Sequence, residues 1–175
     1  MTEIDITEEL SGADLDAVRD LCRSFRDWLY ERYPDDRDLI DLYYNPQTFE
    51  QLLADLPVIH APPDGAILLA RLGGDPAGCV MLRKFDDGIS EMKRLFVSPD
   101  HRGAGVGVTL GEAALRQARR AGYHSIWLET GPLHSEAQAL YRRLGFSVRD
   151  PYYDPGPEWR GKLIFMEREL GDIDG

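Results

Sequence analysis

Residues 95–110 read L-F-V-S-P-D-H-R-G-A-G-V-G-V-T-L. An apolar strand breaks at Ser98-Pro99-Asp100, three glycines follow within five residues (Gly103, Gly105, Gly107), and the chain runs directly into a helical pattern. No other stretch constrains the fold as much. A strand followed by a tight turn and a helix must lay that helix back on a sheet, which points to an α/β protein. The same joint makes an anion site. The first N–H groups of a helix have no internal partner and carry the positive end of its dipole. Glycine lets the backbone approach an anion and take positive φ without strain. Arg102 adds a forked cation at the mouth of the turn.

The spacing excludes the two commonest phosphate loops. A dinucleotide fingerprint, G-x-G-x-x-G, would require glycine at Val108 or Leu110, and a P-loop would require a Lys that the turn lacks. The pattern present is Arg102-x-x-Gly105-x-Gly107, directly after a strand ending E-M-K-R-L-F-V. A second segment, E-A-Q-A-L-Y-R-R-L-G-F at residues 136–146, follows downstream. Together these resemble the R/Q-x-x-G-x-G/A pyrophosphate motif and the next helix of the GNAT superfamily of N-acetyltransferases. The resemblance is clear over residues 66–149.

At 175 residues the chain is long enough for one domain with a substantial core. It divides into residues 1–65 (helices on the acceptor side), 66–149 (the acetyl-CoA-binding core that the resemblance implies) and 150–175 (a loop and a last strand). Apolar runs are only a few residues long, so no membrane span is expected. The acidic start lacks the basic and apolar regions of a secretory signal, and Cys22 and Cys79 stand far apart, which suits reduced core thiols in the cytoplasm. The net charge is −11, and its excess lies wholly in residues 1–65, with 16 Asp and Glu against 5 Arg. Nucleic acid is a poor partner for such a chain, and a cationic partner a better one. The histidines and cysteines have no metal-ligand spacing, so no metal is expected.

Periodicity gives the elements in order. A short edge strand opens the chain at residues 1–6. Ser11-x-x-Asp14 is a capping pattern, and Leu15, Val18, Cys22, Phe25 and Leu29 form one helical face that Pro34 closes. Residues 35–44 read as a charged loop. Asn45-Pro46 starts a second helix that should stop near Leu56, before Pro57. Strands over 66–72, 77–84 and 89–97 are separated by Gly/Asp turns and form an antiparallel meander. The helix after the glycine turn ends at Gly122, and Gly111 within it suggests close packing on the sheet. A strand at 125–130, a helix at 133–144, a short strand at 146–149, an aromatic loop at 151–161 and a strand at 162–170 complete the order βααβββαβαββ, which matches the mixed sheet of the GNAT fold.

What the resemblance implies for chemistry can be assigned to individual residues. The pantetheine arm of acetyl-CoA would pair with the backbone of Leu95, Phe96 and Val97. Its diphosphate would rest on Arg102, Gly103, Ala104, Gly105, Val106, Gly107 and Val108. Tyr141 aligns with the tyrosine that protonates the departing thiolate, and a phenol keeps its proton near neutral pH. Glu91 lies where family members place a carboxylate that takes the amine proton. Backbone N–H groups near Phe96 and Val97 would polarise the thioester carbonyl. Lys93 and Arg94 read as solvated or phosphate-facing. His134 stands where the family often has Asn on the pantetheine amide, and it otherwise reads as a surface histidine at a helix start.

The first functional reading is acetyl transfer from acetyl-CoA to a primary amine by direct attack in a ternary complex. Aromatic residues Tyr30, Tyr33, Tyr43, Tyr44, Tyr152, Tyr153 and Trp159, with the acidic first third, suggest a small cationic acceptor. The second reading is a CoA-binding sensor on the same fold without turnover. Homodimers are common in the family, so a homodimer is a further expectation.

Overall fold

The computed structural model describes residues 2–171. The chain forms β1 (Ile4–Thr7), α1 (Gly12–Arg32), a 3-10 turn (Pro34–Asp36), α2 (Arg37–Tyr43), α3 (Pro46–Ile59), β2 (Ala66–Leu72), β3 (Asp75–Asp86), β4 (Ile89–Val97), α4 (Val106–Arg120), β5 (Ser125–Thr130), α5 (Ser135–Arg143), β6 (Ser147–Arg149) and β7 (Ile164–Glu169). The seven strands make one mixed sheet in the order β1-β2-β3-β4-β5-β7-β6. Strand β1 is the edge strand that the first residues suggest. One apolar core joins α4 and α5 to one face of the sheet, and a second joins α1 and α3 to the other. Cys22 and Cys79, far apart in sequence, share that second core as buried free thiols.

Local chemistry accounts for most of the boundaries. Ser11 and Asp14 close a reciprocal capping box at the start of α1, and Asn45 accepts from Gln47 and Thr48 at the start of α3. Helix α5 ends in Leu144-Gly145, with Phe146 N–H bonded to Tyr141 O and Gly145 N–H to Arg142 O, the paired bonds of a left-handed glycine cap.

Three expectations are corrected. The charged stretch 35–44 is not a loop but a 3-10 turn followed by α2, which buries Ile40 beside Leu29 and Tyr33. Helix α3 does not stop before Pro57 but runs through it to Ile59. Proline removes the N–H that would bond the Leu53 carbonyl; Arg19 Nε, from α1, donates to that carbonyl at 2.9 Å instead. Gly111 does not face the sheet: a Cβ there would overlap the Leu144 side chain, so this glycine lets α4 approach α5.

The feature that positions the site is a split in the sheet. Strands β4 and β5 pair in parallel only at Ile89↔Ser125, Ser90↔Ile126 and Glu91↔Trp127. Beyond Glu91 they part, while β5 stays paired with β7 through Thr130. A bulge in β4 lies within the diverging part. Cys79 pairs with Phe96 and Met81 with Lys93, so Val80 faces both Arg94 and Leu95, and Arg94 takes a φ of 53°. The edge of β4 over residues 92–97 is thereby left without a β5 partner.

Candidate active site

The split opens a cleft of about 290 Å³. Its floor is Met92, Lys93, Arg94 and Leu95 from β4 with Glu129 and Thr130 from β5; Tyr141 and Ala137 enter from α5, Leu29 from α1 and Tyr33 from just past its end, and Tyr43, Tyr44, Tyr153 and Trp159 close the outer side. The helices of both sheet faces thus meet at one gap.

Tyr141 is 6% exposed and packs edge-to-face on Phe146. Burial pushes its phenol well above the ordinary value, so it holds its proton at any physiological pH. Among the described residues its hydroxyl has no hydrogen-bond partner, and it lines the cleft.

Glu91 is also buried, at 1% exposure, but it does not line the cleft. It accepts from Arg83 Nε at 2.8 Å and from the Tyr152 hydroxyl at 2.6 Å. The residue that the resemblance implies as proton acceptor is thus bonded within the protein and is not among those lining the cleft. Two carboxylates do line the cleft, Asp36 and Glu129, and sequence reasoning singled out neither. Tyr153 donates its hydroxyl to Glu129, and Lys93 Nζ lies 3.5 Å from it and 3.9 Å from Glu91. The position of Glu129 at the carboxyl end of a strand, where the sheet order departs from sequence order, is the signal that could have found it. Lys93 and Arg94 both line the cleft, and the Lys93 side chain is only 14% exposed rather than solvated.

His134 is no surface residue either. It lines the cleft at the start of α5, stacked edge-on against Trp28. The Tyr33 hydroxyl accepts Leu133 N–H at 2.9 Å and meets His134 Nδ1. A Tyr33 hydroxyl that donates to Nδ1 puts the His134 proton on Nε2. Burial, with Arg32 nearby, lowers the imidazole pKa from 6.5 to about 4, so the ring is neutral. Arg32 holds this corner by donating to Leu133 O at 2.8 Å and to both oxygens of Glu136. Of the aromatic residues expected on the acceptor side, Tyr33, Tyr43, Tyr44, Tyr153 and Trp159 line the cleft, whereas Tyr30 and Tyr152 do not.

The glycine turn lies at the α4 end of β4. Gly103 and Gly105 have φ values of 80° and 87°, and open space surrounds the position of a Cβ on each. Gly105 is the N-cap of α4 and supplies no side-chain cap; the first helical bond runs from Thr109 N–H to Gly105 O. The amides of Val106, Gly107 and Val108 precede it, as orphan donors pointing out of the helix. Arg102 is exposed, with Nε on Val97 O at 3.3 Å and its guanidinium over Trp28. Ala104 is exposed as well. Leu95 is the only one of the three expected strand contacts whose residue lines the cleft; Phe96 turns its ring into the α1 core against Phe25, and Val97 packs toward α4. An open nest of unsatisfied amides, an unpartnered strand edge and a neutral half-buried imidazole together fit a diphosphate and its amide-bearing arm.

Comparison with known proteins agrees with this geometry. The family model described as Acetyltransferase (GNAT) family matches residues 19–146. The chain belongs to the GNAT acetyltransferase family. Among curated relatives, the acetyltransferase is 40% identical over 136 residues to an IAA acetyltransferase of Azospirillum brasilense, covering 77% of this chain and 85% of that one. It is 35% identical over 127 residues to an uncharacterized N-acetyltransferase of Schizosaccharomyces pombe, covering 71% and 76%. Among solved structures, PaiA N-acetyltransferase from Thermoplasma acidophilum in complex with coenzyme A superposes with a TM-score of 0.75 at 22% identity, over 95% of this chain and 99% of that one. This last likeness shows the fold. The acetyltransferase therefore has the mixed-sheet fold its sequence implies, and its family carries out acetyl transfer with acetyl-CoA.

Proposed function

We propose that this acetyltransferase acetylates a primary amine by direct attack within a ternary complex, with Tyr141 as proton donor to the leaving sulfur and Glu129 as proton acceptor from the amine. Acetyl-CoA supplies the activated acyl group as a thioester. The free amides of residues 106–108 and Arg102 would hold its diphosphate, and His134 Nε2–H would donate to its arm. The unpaired edge of β4 would orient the arm and polarise the carbonyl. In the reaction the amine nitrogen bonds to the acetyl carbon and the carbon–sulfur bond breaks. Glu129 receives the proton that the nitrogen sheds, and Tyr141 gives its own to sulfur. The single observation that carries this reading is that Tyr141 and Glu129 line the same gap between β4 and β5 from opposite sheet faces. The relative named for IAA supports a small-molecule acceptor. The free thiols Cys22 and Cys79 support a reducing, cytoplasmic setting.

The acidity of residues 1–65 favours a cationic acceptor only through its distant field. Of the carboxylates, Asp36 and Glu129 line the cleft, and each is engaged by a lysine, Lys162 and Lys93. The decisive test is thiol release from acetyl-CoA with a panel of amines, comparing the wild type with Tyr141→Phe. Release by the wild type, reduced about a hundredfold in the variant, is the expected result. Coenzyme A binding with no thiol release from any amine would instead favour the sensor.

A further inference from the structure

The charges lining the cleft do not balance. Among the described residues, Asp36 and Glu129 are its carboxylates, and Lys93, Arg94 and Lys162 its cations. Lys162 is bonded to Asp36, and Lys93 lies 3.5 Å from Glu129. Arg94 is left over. Its Nη1 lies 3.5 Å from His60 Nε2 and 4.0 Å from Met81 Sδ, both neutral neighbours, since His60 binds the Leu82 carbonyl through Nδ1 at 2.9 Å. Its Nε is buried and, among the described residues, has no hydrogen-bond partner. A half-buried guanidinium with one N–H unpartnered and no anion beside it offers the cleft a planar fork that matches a carboxylate.

The backbone adds a second observation. Arg94 is the one non-glycine residue among those described with positive φ, and it sits at the bulge that turns β4 away from β5. A long side chain in the left-handed region is uncommon, and such conformations collect at ligand sites where the surroundings impose them. The third observation is the wall beside it. Tyr43 packs against both Tyr44 and Trp159, with ring centroids 4.8 and 6.1 Å away. All three line the cleft, with Leu39 among them. One uncompensated positive charge beside an aromatic wall suits a monoanion with an apolar body.

We infer that the acceptor is an amino acid-like molecule: a primary amine that also carries a carboxylate and an apolar or aromatic body. The carboxylate binds Arg94, the body packs on Tyr43, Tyr44 and Trp159, and the amine faces Glu129. This rests on the acetyl-transfer reading above and narrows its acceptor. It also reverses the sign that the acidic first third suggests, because the local charge of the cleft, not the net charge of the chain, meets the ligand.

The test compares acceptors in pairs that differ only in the carboxylate: phenylalanine against phenethylamine, 3-amino-3-phenylpropanoate against 1-phenylethylamine, and leucine against isoamylamine, with cadaverine as the cationic probe. Thiol release is followed with saturating acetyl-CoA. In the wild type, kcat/KM for the acid is expected to exceed that for its decarboxylated partner by about tenfold or more in at least one pair. Arg94→Gln should bring that ratio close to one, and Arg94→Lys should restore part of it. Each ratio is taken within one protein, so a partly misfolded variant does not distort it. Wild-type ratios of one or below in every pair, a preference for cadaverine, or a preference that survives Arg94→Gln would overturn the inference while leaving acetyl transfer standing. Absence of thiol release with every amine would overturn both.

Discussion

The hydroxyl of Tyr152 donates to Glu91 at 2.6 Å, from a ring packed between Trp127 and Phe165. With Arg83 on its other side at 2.8 Å, the Glu91 carboxylate is bonded within the protein and does not line the gap. Glu129, one strand over, is bonded by Tyr153 yet lines the gap. Two carboxylates near the same Lys93 therefore sit in different surroundings, one bonded within the protein and one open to the gap.

That division predicts opposite phenotypes. Glu91→Gln removes the charge of a buried carboxylate whose partner Arg83 is 42% exposed, and should lower unfolding free energy by about 1–2 kcal/mol, with kcat within about threefold of wild type. Glu129→Gln removes the proposed base and should lower kcat by about a hundredfold or more, with little change in urea midpoint. Denaturant melts and steady-state rates on both variants decide the matter; the reverse pattern would return the base to Glu91.

Tyr33 orients His134 from the far side of the gap. Tyr33→Phe keeps the ring and deletes only the hydroxyl that bonds Nδ1 and Leu133 N–H. The imidazole is then free to place its proton on either nitrogen. KM for acetyl-CoA should rise about five- to tenfold, and kcat at saturation should barely move. Titration calorimetry with coenzyme A would register the same weakening. A variant with unchanged affinity would remove His134 from the binding site.

The glycine turn can be tested with its own internal control. Gly105 and Gly122 flank α4, with φ values of 87° and 89° and open space where a Cβ would sit. Alanine at either position should cost a similar amount, about 1–2 kcal/mol, because the strain is in the backbone alone. Only Gly105→Ala disturbs the amides of residues 106–108, so it alone should raise the Kd for coenzyme A, by about tenfold or more. Equal affinities in the two variants would detach the turn from ligand binding.

Particular residues show what could be read from the chain alone. The strands Ala66–Leu72, Ile89–Val97 and Ser125–Thr130 end where apolar runs meet Gly and Asp turns, so their limits were legible. The glycine turn was legible from its spacing, Tyr141 was singled out through the family resemblance, and five of the seven aromatic residues expected on the acceptor side line the cleft. Helix α2 was not, because its seven residues bury little but Ile40 and owe their helix to packing against α1. Nor was the passage of α3 through Pro57, which depends on Arg19, 34 residues from the carbonyl it bonds. The choice between Glu91 and Glu129 was hidden for the same reason. Tyr152 is 61 residues from Glu91, and no local pattern announces which carboxylate a distant hydroxyl will occupy.

Two imidazoles, His60 buried and His134 half-buried, set the acid limit of stability. Burial lowers the pKa of His60, which is 2% exposed, and of His134 from 6.5 to about 4. Between those values the unfolded chain binds protons that the folded chain refuses, so stability must rise with pH across the interval. It is fully present above pH 6.5 and is lost as pH falls toward 4. For His60 the loss approaches about 3 kcal/mol, reached before the carboxylates held by arginines, Asp14 and Glu50, begin to protonate. Those carboxylates have lowered values of their own and act further down the scale. Urea melts at pH 7.5 and 5.0 should therefore differ by well over 1 kcal/mol. His60→Gln keeps an amide donor for the Leu82 carbonyl but cannot titrate, so its melts should differ by less. If the wild type and His60→Gln lost stability in parallel between those pH values, His60 would be protonating in the folded state and the neutral buried ring would be wrong.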